Sequence, residues 1–155
     1  MRRLAAITLT ALLSAGALAV GSTAAQASDS GRGSTTGQAS SVHLLGGLHL
    51  KRVDTMNGHT DIAYLLCTST SKHGAAPVIH GVGGVKDATS ACKELAAVRG
   101  NLAALSVHPA WLAPTLEAPV EVKAAGTWEG AKVAWSHRYA NSGLLAKQTG
   151  DVFVF

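Results

Sequence analysis

The chain has 155 residues, 47% of them apolar and 14% charged, with a formal net charge of +4. That length suits one domain with a modest core. The charge, with no Lys/Arg stripe interleaved with aromatics, does not support nucleic-acid binding.

The chain opens "MRRLAAITLTALLSAGALAVGSTAAQAS". Arg2 and Arg3 precede an apolar run from Leu4 to Val20, and Ala25-Gln26-Ala27 follows as a small-x-small cleavage site, which predicts a secretory signal peptide over residues 1–27. A membrane anchor is the alternative, because the run approaches the roughly 18 residues needed to span. Ser14, Gly16 and the cleavage site favour removal, so the mature protein is expected to be secreted and extracellular, with no membrane partner. Losing Arg2 and Arg3 leaves 11 basic against 9 acidic residues, a net charge of +2. Residues 28–42, mostly Ser, Gly, Thr and Gln, have little to bury and are expected to form a disordered propeptide or linker. The folded domain is expected over 43–155, about 113 residues.

"LHLKRV" (48–53) alternates Leu48, Leu50 and Arg52 against His49, Lys51 and Val53, and Asn57-Gly58 is a hairpin signal before a returning strand "DIAYLLC" ending at Cys67. From Thr68 to Lys86 no period is sustained, which predicts a long loop. Ala91, Leu95, Val98, Leu102 and Leu105 then trace the apolar stripe of an amphipathic helix. Thr89 or Ser90 can cap its start, Asp87 suits the positive end of its dipole, and Gly100 ends or kinks it. Pro114 and Pro119 frame the loop "LAPTLEAP" (112–119). A hairpin follows, with Val120, Val122 and Ala124 on one face, Glu121, Lys123 and Ala125 on the other, and Trp128 and Trp135 flanking a turn through Glu129-Gly130. "NSGLLAKQTG" predicts a short helical or irregular segment, and "DVFVF" a last strand. The class is α+β, an antiparallel sheet of about five strands with one main and one short helix.

Cys67 and Cys92 are the only cysteines. Export favours one disulfide between them over two free thiols or half a metal site, and no CxxC spacing exists. The seven histidines, His43, His49, His59, His73, His80, His108 and His137, include no i,i+4 pair, so no metal ligand is assigned. The glycines of "HGVGGVKDAT" (80–89) lack the spacing and the lysine of a phosphate cradle. With no G-x-S-x-G and few acids, no Ser/His/Asp triad can be assembled; neither catalysis nor a cofactor is expected. Trp128 and Trp135 suit sheet packing better than a ligand platform. What remains is a small domain presenting a loop to another protein.

"CKELAAVRGNLAAL", then "APTLEAPVEV", "GTWEGAKVAW" and the ending "DVFVF" resemble the Streptomyces subtilisin inhibitor family, from about Leu48 to Phe155. The motifs are C-x-x-L-A-A-V-x-G-x-L-x-A-L, A-P-x-x-x-x-P, G-x-W-x-G and V-F-x-F. The resemblance implies a secreted homodimeric inhibitor, associated through a five-stranded sheet, whose loop enters the cleft of a subtilisin-like serine protease. It places Leu112 at the start of the loop, Ala113 at P3, Pro114 at P2, Thr115 at P1, Leu116 at P1′ and Glu117 at P2′, with Thr115–Leu116 as the reactive bond. Asn141 falls where the family keeps an asparagine that braces the loop, and Pro119 stiffens its exit. A second family disulfide would join Ala113 to Gly143, and both cysteines are missing together. Leu116 also suits secreted zinc metalloproteases, many of which select a large apolar P1′ residue, and "VIHGVGG" offers a second contact surface. A further alternative is a non-inhibitory secreted binding domain or cross-linking substrate, with Gln38 and Lys51 as its reactive side chains.

Overall fold

The structure, a computed structural model, describes residues 40–155. The expected signal peptide, and the expected linker as far as Ala39 including Gln38, lie outside the described residues. Strand β1 spans Ser41–Asp54, β2 Thr60–Ser71, β3 Val78–Gly83, β4 Val120–Trp128 and β5 Ala131–Tyr139, while helix α1 covers Ala88–Ala97 and α2 Ser142–Thr149. The five strands form one antiparallel sheet in the order β3-β2-β1-β4-β5. Since β1 begins at Ser41, the last residues of the expected linker, Ser41 and Val42, are already strand.

Period-2 alternation fills one face of this sheet. Leu48 and Leu50 of β1, Ala63, Leu65 and Cys67 of β2, and Val120, Val122 and Ala124 of β4 are all buried and pack with Ala91, Cys92 and Leu95 of α1, Leu145 of α2, and Val152 and Phe153 of the tail. Every member of the apolar stripe contacts this core, but only Ala91 and Leu95 do so from the helix. Val98 caps α1, Gly100 turns the chain at φ +74°, and a short 3₁₀ turn, Leu102–Ala104, delivers Leu102 and Leu105 to the core. Among the described residues no helix is long and apolar enough to cross a membrane.

Three expectations are corrected. The first is the long loop over 68–86: β2 runs on to Ser71, and β3 pairs with it from Leu65↔Gly83 to Thr70↔Val78. Its glycines hide the alternation and have their own reason. A Cβ on Gly81 would collide with the Ala88 carbonyl of α1, and one on Gly83 with the Tyr64 carbonyl of β2. The second is the last strand: residues 151–153 are turn, and the tail's apolar residues enter the core instead of a ladder. Arg52, on the inner face of β1, donates to the carbonyls of Phe153 (3.1 Å) and Phe155 (2.6 Å) while pairing with Asp61 at 2.8 Å. A guanidinium that binds the tail carbonyls end-on does the work a neighbouring strand would do. The third is the cap of α1. Asp87, and neither Thr89 nor Ser90, accepts from the Ser90 N–H at 2.8 Å, because it stands one residue before the first helical turn. Cys92 is the fifth residue of α1, and Cys67 lies inside β2 rather than at its end.

Candidate functional site

From Trp111 to Pro119 the chain has no regular secondary structure, because Pro114 and Pro119 lack the N–H a ladder or helix needs and hold their predecessors extended. Leu112 is 100% exposed and Leu116 73%, and Pro114, Thr115 and Glu117 also face solvent, whereas Ala113 is half-buried.

The backbone of this exposed segment is nonetheless tied down. Before it, the N–H groups of Val107 and His108 donate to the Gln148 and Lys147 carbonyls at the end of α2 (3.2 and 2.9 Å). After it, Ala118 N–H donates to the Ala140 carbonyl at 2.9 Å, and Pro119 presents its carbonyl to the Thr55 N–H (3.0 Å) and hydroxyl (2.8 Å). Between these anchors stands Asn141, only 4% exposed. Its Nδ2 donates to the Pro114 carbonyl at 2.8 Å and to the Leu116 carbonyl at 2.9 Å, so one amide straddles Thr115. Its Oδ1 accepts from the Leu144 N–H at 2.8 Å, which caps α2. An asparagine does both because its carboxamide offers two donors and an acceptor. The loop residues expected from sequence and their brace are thus brought together, and the segment is carried by the start and end of α2.

Trp111 lies just outside the loop expected from sequence. Its ring stacks on His108 at 3.7 Å between centroids and 5° between planes, and its N–H donates to the His108 carbonyl. Only the spacing of Trp111 three residues after His108 hinted at this pair. Cys67 and Cys92 form a disulfide with Cα atoms 5.5 Å apart, joining β2 to α1 and leaving the loop untouched. Lys51 is half-buried on the outer face of the sheet. No group of three or more His, Cys, Asp or Glu side chains is placed to hold a metal among the described residues.

A family model described as subtilisin inhibitor-like matches residues 62–141, from β2 through the loop to its asparagine. The chain belongs to the subtilisin inhibitor-like family. Within this family it is 40% identical over 71 residues to subtilisin inhibitor-like protein 8 of Streptomyces virginiae, covering 44% of this chain and 64% of that protein. It is 39% identical over 70 residues to the transglutaminase-activating metalloprotease inhibitor of Streptomyces mobaraensis, covering 44% of this chain and 47% of that one. With subtilisin inhibitor-like protein 3 of Streptomyces coelicolor it shares 32% identity over 80 residues, 52% of this chain and 73% of the relative. The matches to the first two relatives thus span about half to two-thirds of their lengths. A chain in the crystal structure of Streptomyces caespitosus sermetstatin in complex with Bacillus licheniformis subtilisin superposes with a TM-score of 0.47 at 21% identity over 71% of this chain and 98% of that chain.

Proposed function

We propose that the protein is a secreted inhibitor of extracellular proteases that offers residues 112–117 to the enzyme as a substrate-like segment, with Thr115–Leu116 as the reactive bond and a subtilisin-like serine protease as first target. It acts by binding, needs no cofactor and catalyses nothing itself. Residues 1–27 direct export and are removed, the segment after them up to β1 acts as a propeptide or linker, and the domain that begins with β1 carries the function.

The observation that supports this reading most is the Asn141 amide bridging the carbonyls on either side of Thr115. A serine hydroxyl that attacks the Thr115 carbonyl carbon forms an acyl-enzyme and releases Leu116 as an amine. In an ordinary substrate that amine diffuses away. Here Asn141 and the Ala118–Ala140 bond keep the Leu116 side in place, so the amine can re-attack the ester and restore the peptide bond. A loop already extended also loses little conformational entropy on binding, which raises affinity without adding contacts.

A second reading, inhibition of a neutral zinc metalloprotease, is favoured by the exposed Leu116 at P1′ and by the printed name of the Streptomyces mobaraensis relative. We also propose a homodimer through the outer face of the sheet, where Ile62, Tyr64, Leu66 and Val82 are exposed on the adjoining strands β2 and β3.

Titrating the purified mature protein against subtilisin and against a thermolysin-like enzyme, with mass spectrometry of the products, separates the readings. Tight stoichiometric inhibition of subtilisin is the expected result. Rapid cleavage at Thr115–Leu116 without inhibition sinks the serine-protease reading. Leu116→Gly should abolish metalloprotease inhibition if this loop is the site.

A further inference from the structure

Gly143 is the second residue of α2, a place where glycine is ordinarily the less stable choice because it leaves more backbone freedom to the unfolded chain. Its φ is not in the left-handed region, so backbone conformation does not demand glycine. Space does. A Cβ on Gly143 would lie 2.6 Å from Pro114 Cδ and 3.0 Å from its Cγ, and 3.2 Å from Asn141 Oδ1. The nearest of these atoms belong to a closed ring whose backbone is fixed by the Asn141 amide, not to the movable end of a long side chain.

We infer that Gly143 is a positioning residue for the loop: its bare Cα is the seat on which the Pro114 ring rests, and this contact sets the height and direction of Thr115–Leu116. The seat and the Asn141 amide act on the same residue from two sides. The amide holds the Pro114 carbonyl at 2.8 Å, and the glycine admits the ring to the distance at which that bond can form. Close packing of the Pro114 ring on the bare Cα and the bond from the Asn141 amide together restrain Pro114. In this packing, where the ring already occupies the space of a Cβ, a side chain at 143 would press on the ring, lengthen the amide bond and let Thr115 swing. The functional consequence rests on the proposed inhibitory role of the loop, but the seat can be tested without it.

Four forms of the chain are compared: wild type, Gly143→Ala, Pro114→Ala and the double variant. For each, the inhibition constant against subtilisin, the rate of cleavage at Thr115–Leu116 and the {¹H}-¹⁵N NOE of the Thr115 and Leu116 amides are measured. Gly143→Ala should weaken inhibition by about tenfold or more, speed cleavage and lower both NOE values. In the Pro114→Ala background, where no ring meets the new methyl, adding Gly143→Ala should change none of the three. An equal effect in both backgrounds, or no effect of Gly143→Ala on any readout, overturns the inference. If the single variant fails to fold, a folded double variant supports the seat and an unfolded one overturns it. If wild type neither inhibits subtilisin nor is cut at Thr115–Leu116, the inhibitory reading fails, and the NOE comparison still decides the seat.

Discussion

Asn141 performs two tasks with opposite ends of one carboxamide, and the two are separable by a single atom. Asn141→Asp keeps an oxygen to accept from Leu144 N–H and adds negative charge at the start of α2, both favourable to the helix. It replaces the donor that serves Pro114 and Leu116 with an acceptor facing two carbonyl oxygens. The expected outcome is a Tm within a few degrees of wild type with inhibition largely lost and cleavage at Thr115–Leu116 accelerated, checked by calorimetry beside a progress-curve assay. Asn141→Ala should lose the cap as well, at a cost of about 1 kcal/mol. Glu94 is the other residue with a consequence of its own. Burial pushes its carboxyl up to about 7, although it accepts from the Asp151 N–H at 2.9 Å, and the charges of Asp151 and Asp87 push the same way. The folded state therefore holds this proton more tightly than the unfolded chain. The stability it contributes is fully present below about pH 4.5 and is lost as pH rises through about 7. Asp61 acts oppositely and at lower pH, since its hydrogen bond to Arg52 holds its carboxyl below the usual range. Thermal unfolding from mildly acid to neutral pH should show a falling Tm that Glu94→Gln flattens; an unchanged slope in that variant would show that Glu94 does not carry it.

At the level of elements, α2 is the support of the loop and α1 the clamp of the sheet. Their different jobs separate stability from binding. The Cys67–Cys92 bridge spans 25 residues and ties α1 to β2 on the side that does not touch the loop. Replacing both cysteines by alanine should lower stability by about 3 kcal/mol, near 10 °C in Tm, by releasing the unfolded chain. Below the new Tm the inhibition constant should stay near that of wild type; a large rise would mean that the clamp also shapes the loop. Gly100 is as demanding as the disulfide. It sits at φ +74° with its Cα against the Trp128 side chain, so Gly100→Ala meets both backbone strain and overpacking and should cost about 1–3 kcal/mol, measured by denaturant unfolding. Elements with an unbroken period were legible in the sequence: the β4–β5 hairpin by alternation, α1 by its stripe, the loop by its prolines. β3 was not, because Gly81 and Gly83 are dictated by the approach of α1 and β2, and a glycine carries no inward or outward sign. The tail misled for the converse reason, since Val152 and Phe153 look like strand residues but are buried as a plug.

For the whole molecule, the sheet divides the surface into a face that is covered and one that is open. Ile62, Tyr64, Leu66 and Val82 leave a patch on the open face, 65% exposed at Tyr64, that a second copy would cover in the proposed dimer. Stable interfaces bury on the order of 1,600 Å² in total, the scale the proposed dimer has to meet. Sedimentation equilibrium should give twice the protomer mass, and Tyr64→Lys should yield a monomer that still inhibits, because the loop lies at α2 and not on β2. A wild-type monomer at micromolar concentration would remove the dimer from the proposal. The sequence by itself determined the class, the single pair of cysteines, the framed loop and the family, because periodicity, proline chemistry and motif spacing are local properties of the chain. Only the tertiary structure decided what holds the loop. That Asn141 reaches both carbonyls around Thr115, that Gly143 lies beneath Pro114, and that Arg52 secures the tail each depend on residues 25 or more positions apart arriving in contact. Distances across such separations are set by the packing of helices on the sheet, which no local pattern encodes.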